Sequence, residues 1–271
     1  MSGNGAWLNA IPAGWIFLAA LGLCLGSFLN VVIYRLPIGL SIVRPRSRCP
    51  RCGCAIAPYD NVPLVSYLVL RGRCRNCASP IPVRYPAVEA TGALCLIAAA
   101  LVSTGPAGAG IRAAFLLALL AITWIDLDHR IIPNEISIPG IAAGLALSPW
   151  IGVPRIEGLI GAAAGAGALL GVAVAYRAIR KIDGMGGGDI KLAAMLGAFL
   201  GWKGILLTIV LGSLFGSIVG LSLIAARRGS GKTALPFGTF LAPAAAIVLL
   251  VGPRVWTWYA GLMHPAMAGL R

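Results

Sequence analysis

Two aspartates have the side chains and the setting for acid–base chemistry at a membrane. The 271-residue chain contains eight acidic residues. Asp126 closes an apolar segment in "TWIDLDHRIIPNE", and Asp189 opens another directly after "GMGGG". Ionisable groups at such positions are candidates for function because they are costly there. Two carboxyls that lie close together share one proton, so one can activate water while the other protonates a leaving group.

Each aspartate also has a purely structural interpretation. Asp126 could cap its helix or pair with Arg130, four residues on, and Asp189 suits the N-cap of the helix that follows. The glycines before Asp189 favour function, because they let a substrate backbone approach the carboxylate closely. We therefore predict catalytic roles for Asp126 and Asp189. The sequence has no HExxH and no GxSxG motif, which excludes the zinc metalloproteases and serine hydrolases that use them.

Four cysteines form two CxxC pairs in the most polar segment, 35–85. Cys49 pairs with Cys52, and Cys74 pairs with Cys77. Each pair can place two thiolates on one tetrahedral ion, and four sulfurs suit Zn²⁺. Cys54 is an alternative ligand, and the same spacing would also suit two reduced thiol pairs or a redox pair. A closed four-sulfur shell leaves no position for substrate, so the predicted zinc folds this segment and does not catalyse.

The elements that must carry these residues are membrane helices. Hydrophobic residues make up 59% of the chain, charged residues 11%, and the mean hydropathy is +0.89, whereas soluble domains contain about 25% charged residues. We predict an all-α polytopic membrane protein with about eight transmembrane helices. The apolar segments are 14–34, 87–104, 111–127, 134–151, 157–179, 189–201, 204–226 and 236–258.

The distribution of basic residues predicts an orientation. With the N-terminus outside, the inner loops hold 17 of the 22 lysines and arginines, and the outer side holds 5. Loops on the cytosolic side of membrane proteins collect such residues. The pattern therefore predicts eight spans with both termini outside, and it accounts for the net charge of +14 without a nucleic-acid partner.

Two glycine-rich stretches look like nucleotide-binding loops. They are "GAGALLG" at 165–171 and "RRGSGKT" at 227–233. No strand precedes either one, so we interpret the first as helix packing and the second as a basic loop. Gly161, Gly165 and Ala168 have the spacing that lets helices approach closely.

Several blocks together resemble one known family, the type 4 prepilin peptidases. These are bifunctional leader peptidases and N-methyltransferases of bacterial inner membranes. The resemblance runs from about residue 22 to residue 243, and the set of blocks and their order are specific. The blocks are "GSFLNVVIYRLP" (26–37), the two CxxC pairs, "DNVPLVSYL" (60–68), "RYPAVE" (84–89), "IDLDHRIIPN" (125–134), "GMGGGDIKLAAMLGA" (184–198) and "PFGTFLAP" (236–243).

The resemblance implies an aspartic-peptidase mechanism at the cytosolic membrane face, with Asp126 and Asp189 as the two catalytic residues. It implies that the tetracysteine set is Cys49, Cys52, Cys74 and Cys77. Substrates are prepilins of type IV pili or pseudopilins of type II secretion, whose short basic leaders are cut after glycine. The new N-terminal residue is methylated from S-adenosylmethionine. Asn134 departs from the aspartate common at that position, and it is not a mapped catalytic residue.

The expected organisation is a first transmembrane helix (1–34), a cytosolic, zinc-ribbon-like tetracysteine loop (35–85) and a multi-span membrane peptidase domain (86–271). No soluble Rossmann fingerprint for a methyl donor is present, and we expect the tetracysteine loop to contribute to that site. Two other functions fit parts of the pattern. One is a GxGD intramembrane protease acting on other membrane helices, and the other is a non-catalytic zinc-ribbon scaffold of a pilus or secretion assembly.

Overall fold

The computed structural model describes residues 6–9, 13–182, 185–226 and 236–263, and these ranges are mainly helical. They contain no strand, only two isolated bridges in the tetracysteine loop, so the all-α prediction is confirmed. The helices are α1 (Ala6–Asn9), α2 (Gly14–Arg35), α3 (Val65–Val69), α4 (Arg84–Leu101), α5 (Pro106–His129), α6 (Asn134–Leu147), α7 (Arg155–Arg180), α8 (Gly187–Ala225) and α9 (Gly238–Met263). Short 3₁₀ turns cover Leu36–Ile38, Pro58–Asn61 and Ser148–Ile151.

Five stretches of the described chain are long and apolar enough to cross a membrane. They are Gly14–Ile38, Pro106–His129, Arg155–Arg180, Gly187–Ala225 and Gly238–Trp258. This supports a membrane protein, but the number of eight spans stays a prediction. Helix α6 has 14 residues, which gives a length of about 21 Å against a hydrocarbon core of about 30 Å. Helix α8 alone covers two of the predicted segments.

Helix α8 is broken at Gly201, between the two segments that the sequence separated. Gly201 has φ 69° and ψ 177°, a conformation that is essentially restricted to glycine. A β-carbon there would also lie 3.2 Å from Val153 Cγ1. The chain therefore changes direction inside α8, and the predicted boundary between segments 189–201 and 204–226 is confirmed.

The chain forms two compact units, Met1–Pro133 and Asn134–Arg271. In the first unit, α2 packs against α4 along a face of glycines, and α4 packs against α5. A β-carbon at Gly22 would lie 2.5 Å from Ala93 Cα, and one at Gly26 would lie 2.7 Å from Glu89 Cα. The missing side chains are thus what lets the two backbones approach.

The second unit is built on α8, which packs against α6, α7 and α9. A β-carbon at Gly161 would lie 2.4 Å from Gly197 O, and one at Gly165 would lie 2.6 Å from Ala193 O. The predicted packing role is therefore confirmed for Gly161 and Gly165. It is not seen for Ala168, which is exposed, and the buried face continues through Leu169.

Two sequence predictions concern residues that are not covered. The basic loop predicted at 227–233 and Gly184, which opens the glycine-rich block, lie outside the described residues.

Candidate functional site

Asp126 is a buried carboxylate at the end of an apolar helix. It lies in the last turn of α5 and is 4% exposed, after the fully buried Ile122 and Ile125. The helix ends at Arg130, which has φ 56° and donates its backbone N–H to Asp126 O at 2.9 Å. Helix α5 thus buries the Asp126 side chain in its last turn, with little exposure to solvent.

Asp128, two residues later, has a different environment. Its carboxylate forms an ion pair with Arg84, the first residue of α4. The Arg84 guanidinium also lies over the Trp124 ring, with Cζ 4.6 Å from the centroid. Trp124 and Asp128 are four residues apart and share a helix face, whereas Asp126 is rotated by about 200° from either one. Arg84 therefore contacts the face of α5 that is opposite to Asp126.

Asp189 lies in the first turn of α8, and the alternative interpretation of it as the N-cap is not supported. The N-cap is Gly186, whose carbonyl accepts from the Asp189 N–H at 3.2 Å. Asp189 is the third residue of the helix, where the positive end of the helix dipole favours a negative charge. A β-carbon on the exposed Gly187 would meet nothing within 4 Å, so the chain beside Asp189 is open to an incoming segment.

Lys191 occupies the same turn of α8 and reaches α6. Its ammonium donates to Asn134 Oδ1 at 2.7 Å. The asparagine that departs from the family pattern is therefore a hydrogen-bond acceptor for Lys191, and it fixes the start of α6 to the start of α8. The departure was visible in the sequence, but its partner was not.

The four paired cysteines come together. The sulfurs of Cys49, Cys52, Cys74 and Cys77 all lie within 4.8 Å of one another, all four are free thiols, and Cys49 Sγ lies 3.8 Å from Cys77 Sγ. Tetrahedral zinc with Zn–S bonds of about 2.3 Å requires sulfurs about 3.8 Å apart. The four side chains therefore fit one metal ion.

The two CxxC pairs lie in matching turns. In one, Cys49 N–H donates to Cys54 O and Gly53 N–H to Cys49 O; in the other, Cys74 N–H donates to Ser79 O and Ala78 N–H to Cys74 O. Cys54 thus occupies the place that Ser79 has in the second turn. Cys54 is exposed and lies outside the four-sulfur group, so the alternative ligand is not supported.

The turns supply hydrogen bonds that favour thiolates. Backbone amides of Cys52 and Arg51 lower the pKa of Cys49 to about 6. The hydroxyl and amide of Ser79 lower the pKa of Cys77. An amide of Cys54 lowers the pKa of Cys52, but desolvation and the neighbouring thiols outweigh it and raise that pKa to about 12. Thiolates are the metal-binding form, so the hydrogen bonds at Cys49 and Cys77 favour the state in which these two side chains bind a cation.

Buried polar residues fix the tetracysteine loop to the helices of its unit. Glu89, 9% exposed on α4, accepts the Leu64 N–H at 2.9 Å. Asn30 on α2 donates to Tyr85 O at 3.1 Å, which connects α2 with the first turn of α4, where the loop ends. Neither role was predicted, although both residues stand out as polar side chains inside apolar segments.

One ion pair connects two parts of the tetracysteine loop. Arg75, next to a predicted metal ligand, donates twice to the Asp60 carboxylate, at 2.8 and 2.5 Å. This hydrogen bonding lowers the pKa of Asp60. The pair connects the second CxxC turn with the segment 58–61, which lies between the two turns in sequence.

The chain matches two family models and many curated proteins. The bacterial Peptidase A24 N-terminal domain matches residues 20–103, and the Type IV leader peptidase family matches residues 113–221. A prepilin leader peptidase/N-methyltransferase of Myxococcus xanthus is 44% identical over 82% of this chain and 67% of its own length. That of Aeromonas hydrophila is 38% identical over 90% of this chain and 94% of its own, and that of Pseudomonas aeruginosa 38% over 88% and 91%. No solved structure matches the chain.

Proposed function

Because the chain belongs to the type IV leader peptidase family, we propose that it is a membrane-bound prepilin peptidase and N-methyltransferase. It cleaves the basic leader of type IV prepilins or of type II pseudopilins, and it methylates the new N-terminal residue. The supporting observation is the buried Asp126 at the end of an apolar helix, which is the first aspartate of the block "IDLDHRIIPN" (125–134).

In this proposal, Asp126 and Asp189 form the catalytic dyad. The ionised carboxylate takes a proton from the water that attacks the scissile carbonyl. The protonated carboxyl delivers its proton to the leaving amide nitrogen, as a pair of unequal carboxyls can do.

The proposed metal is zinc, held by Cys49, Cys52, Cys74 and Cys77. Four thiolates fill its shell, so its contribution is to fold the tetracysteine loop. S-adenosylmethionine is the proposed methyl donor, and no residue is assigned to it. The proposed location is a bacterial inner membrane, with both termini outside and the peptidase site at the cytosolic face.

The test is leader cleavage of a model prepilin by variants reconstituted in membrane. Asp126→Asn and Asp189→Asn should each lower cleavage by about 10²–10⁴-fold, the usual contribution of acid–base catalysis, while α-helix content and insertion stay unchanged. Asp128→Asn is the matched control and should be milder, because Asp128 pairs with Arg84 on the other face. Full cleavage by either single variant would contradict the proposed dyad.

The same assay distinguishes this function from the two competing ones. A GxGD protease of other membrane helices would leave the prepilin intact and cleave a different membrane segment in an Asp189-dependent way. A non-catalytic scaffold would cleave neither substrate and would still bind the metal. The presence of the tetracysteine group favours the prepilin peptidase over the GxGD protease of other helices.

A further inference from the structure

The tetracysteine loop carries a large positive charge that the carboxylates of the described residues neutralise only in small part. Segment 35–85 contains nine arginines and one carboxylate, Asp60. Within the described residues, the ion pairs of these arginines are Arg75 with Asp60 and Arg84 with Asp128. Seven arginines of the segment therefore have no carboxylate partner in the described part of the chain.

Part of this segment also exposes apolar side chains. Leu40 is 53% exposed and Val43 is 77% exposed, and they follow directly on α2, which is apolar enough to span a membrane. Arg44 and Arg46 come next in the sequence. Exposed apolar side chains next to arginines are typical of segments that lie in the membrane interface, with the apolar groups and side-chain stems in the lipid and the charges at the headgroups.

A cavity of about 370 Å³ lies where this segment meets the end of α2. Its polar lining includes Arg35, Arg46 and Asn61, and its apolar lining includes Val31, Ile42 and Val43. Arg35 donates to Ser41 O at 2.9 Å, which holds the segment against the last turn of α2. The cavity therefore combines two cations with an apolar wall at the end of a membrane helix.

We propose that this cavity binds the phosphodiester headgroup of an anionic phospholipid such as phosphatidylglycerol. Guanidinium groups match phosphate oxygens in charge and geometry, and basic residues beside a membrane helix attract anionic lipid. Val31, Ile42 and Val43 supply contacts for the glycerol and the first methylenes of the chains. The methyl donor is a poorer match, because its sulfonium is cationic and the cavity lining contains no carboxylate.

The experiment measures lipid retained by the purified, metal-loaded protein after reconstitution with mixed phosphatidylglycerol and phosphatidylcholine, using native mass spectrometry. The parent should retain phosphatidylglycerol over phosphatidylcholine. The double variant Arg35→Gln with Arg46→Gln should lose this preference roughly tenfold, since two headgroup-facing charges are removed. Arg71→Gln with Arg73→Gln is the matched control, because it removes the same charge from exposed positions of the loop outside the cavity lining.

Arg46→Gln alone guards against a folding defect, because it leaves the Arg35–Ser41 contact intact; it should weaken retention while the metal content stays at the parent level. Equal loss in the cavity and control variants would overturn the proposal in favour of unspecific charge. Displacement of the lipid by inorganic phosphate alone would contradict the lipid proposal and indicate a simple anion site. Displacement by S-adenosylmethionine would contradict it and indicate a methyl-donor site. These outcomes are independent of leader cleavage.

Discussion

At the residue scale, the glycines before Asp189 are better explained by access of the substrate to the Asp189 carboxylate than by a strained backbone conformation. Gly186 has φ −76° and ψ 147°, which any residue adopts. Gly187 faces open space. What these positions share is therefore the absence of a side chain next to the carboxylate.

Gly187→Leu should consequently block the substrate without unfolding the protein. We expect kcat/KM for leader cleavage to fall roughly 10-fold or more, since displacement of about 1 Å at a reacting centre costs on the order of 10²-fold. Thermal stability should stay close to the parent value because Gly187 is exposed and a β-carbon there meets no atom within 4 Å. Gly171→Leu, also at an open and exposed position, is the control, and a similar loss of activity there would contradict the access argument.

Asp60 gives the molecule a pH-dependent contact. Arg75 lowers its pKa, so the pair contributes stability that is fully present above the ordinary aspartate value of about 3.9 and is lost as the pH falls through the lower folded value. Asp60→Asn removes this contribution at neutral pH. The difference in melting temperature between parent and Asp60→Asn should thus be present at about pH 5–7 and shrink at lower pH; a difference that is constant with pH would refute the assignment. Taking the difference cancels the protonation of the thiols, which affects both proteins.

At the element scale, close helix contact in the second unit depends on glycine. Gly165→Ala would place a β-carbon 2.6 Å from Ala193 O, so α7 and α8 must separate, at a cost of about 1–3 kcal/mol for overpacking. Gly167→Ala, two residues along the same helix, meets nothing within 4 Å. It should be neutral or stabilise by about 0.5–1 kcal/mol through helix propensity. Thermal unfolding in detergent measures both, and equal effects would show that the contact is not the cause.

The helical geometry of α5 explains why two neighbouring aspartates differ. A helix turns by about 100° per residue, so Asp126 and Asp128 face different sides. Arg84 and Trp124 occupy the side of Asp128. The expectation that Asp128→Asn is the milder substitution follows from this arrangement.

At the scale of the whole molecule, the four-cysteine group belongs to the first compact unit, Met1–Pro133. Binding to a small cysteine module contributes about 10–16 kcal/mol of folding free energy. Removing the metal with a chelator, or with Cys49→Ser and Cys52→Ser, should therefore open the tetracysteine loop. Hydrogen exchange should increase in 35–85 and stay unchanged in α7, which belongs to the second unit. Methylation should fall at least as much as cleavage.

The parent should contain about one zinc per chain, since one four-cysteine shell is present. A parent without metal, or a double variant that methylates normally, would defeat the assigned role. Cys54→Ser is the matched control, because Cys54 lies in the same turn outside the four-sulfur group; it should keep both the metal and the activity.

The class of the protein and its candidate catalytic and metal-binding residues follow from the amino-acid sequence alone. Apolar segments of membrane length, two CxxC pairs and two aspartates at segment ends are one-dimensional patterns, because helix length, ligand spacing and charge placement are local properties. The break in α8 was also visible, since the charged Lys203 separates the apolar segments 189–201 and 204–226. The count of crossings was not settled this way, because hydropathy does not show that α6 is only 14 residues long.

The partners of these residues depend on tertiary packing. Arg84 lies 44 residues from Asp128, and Glu89 lies 25 residues from Leu64, and no local pattern encodes such pairings. Packing also leaves Cys54 outside the four-cysteine group and makes Gly186, not Asp189, the N-cap of α8. Sequence spacing shows which ligands are available. Which of them meet depends on how the turns and helices pack, because a hydrogen bond or a metal shell requires atoms within a few ångströms.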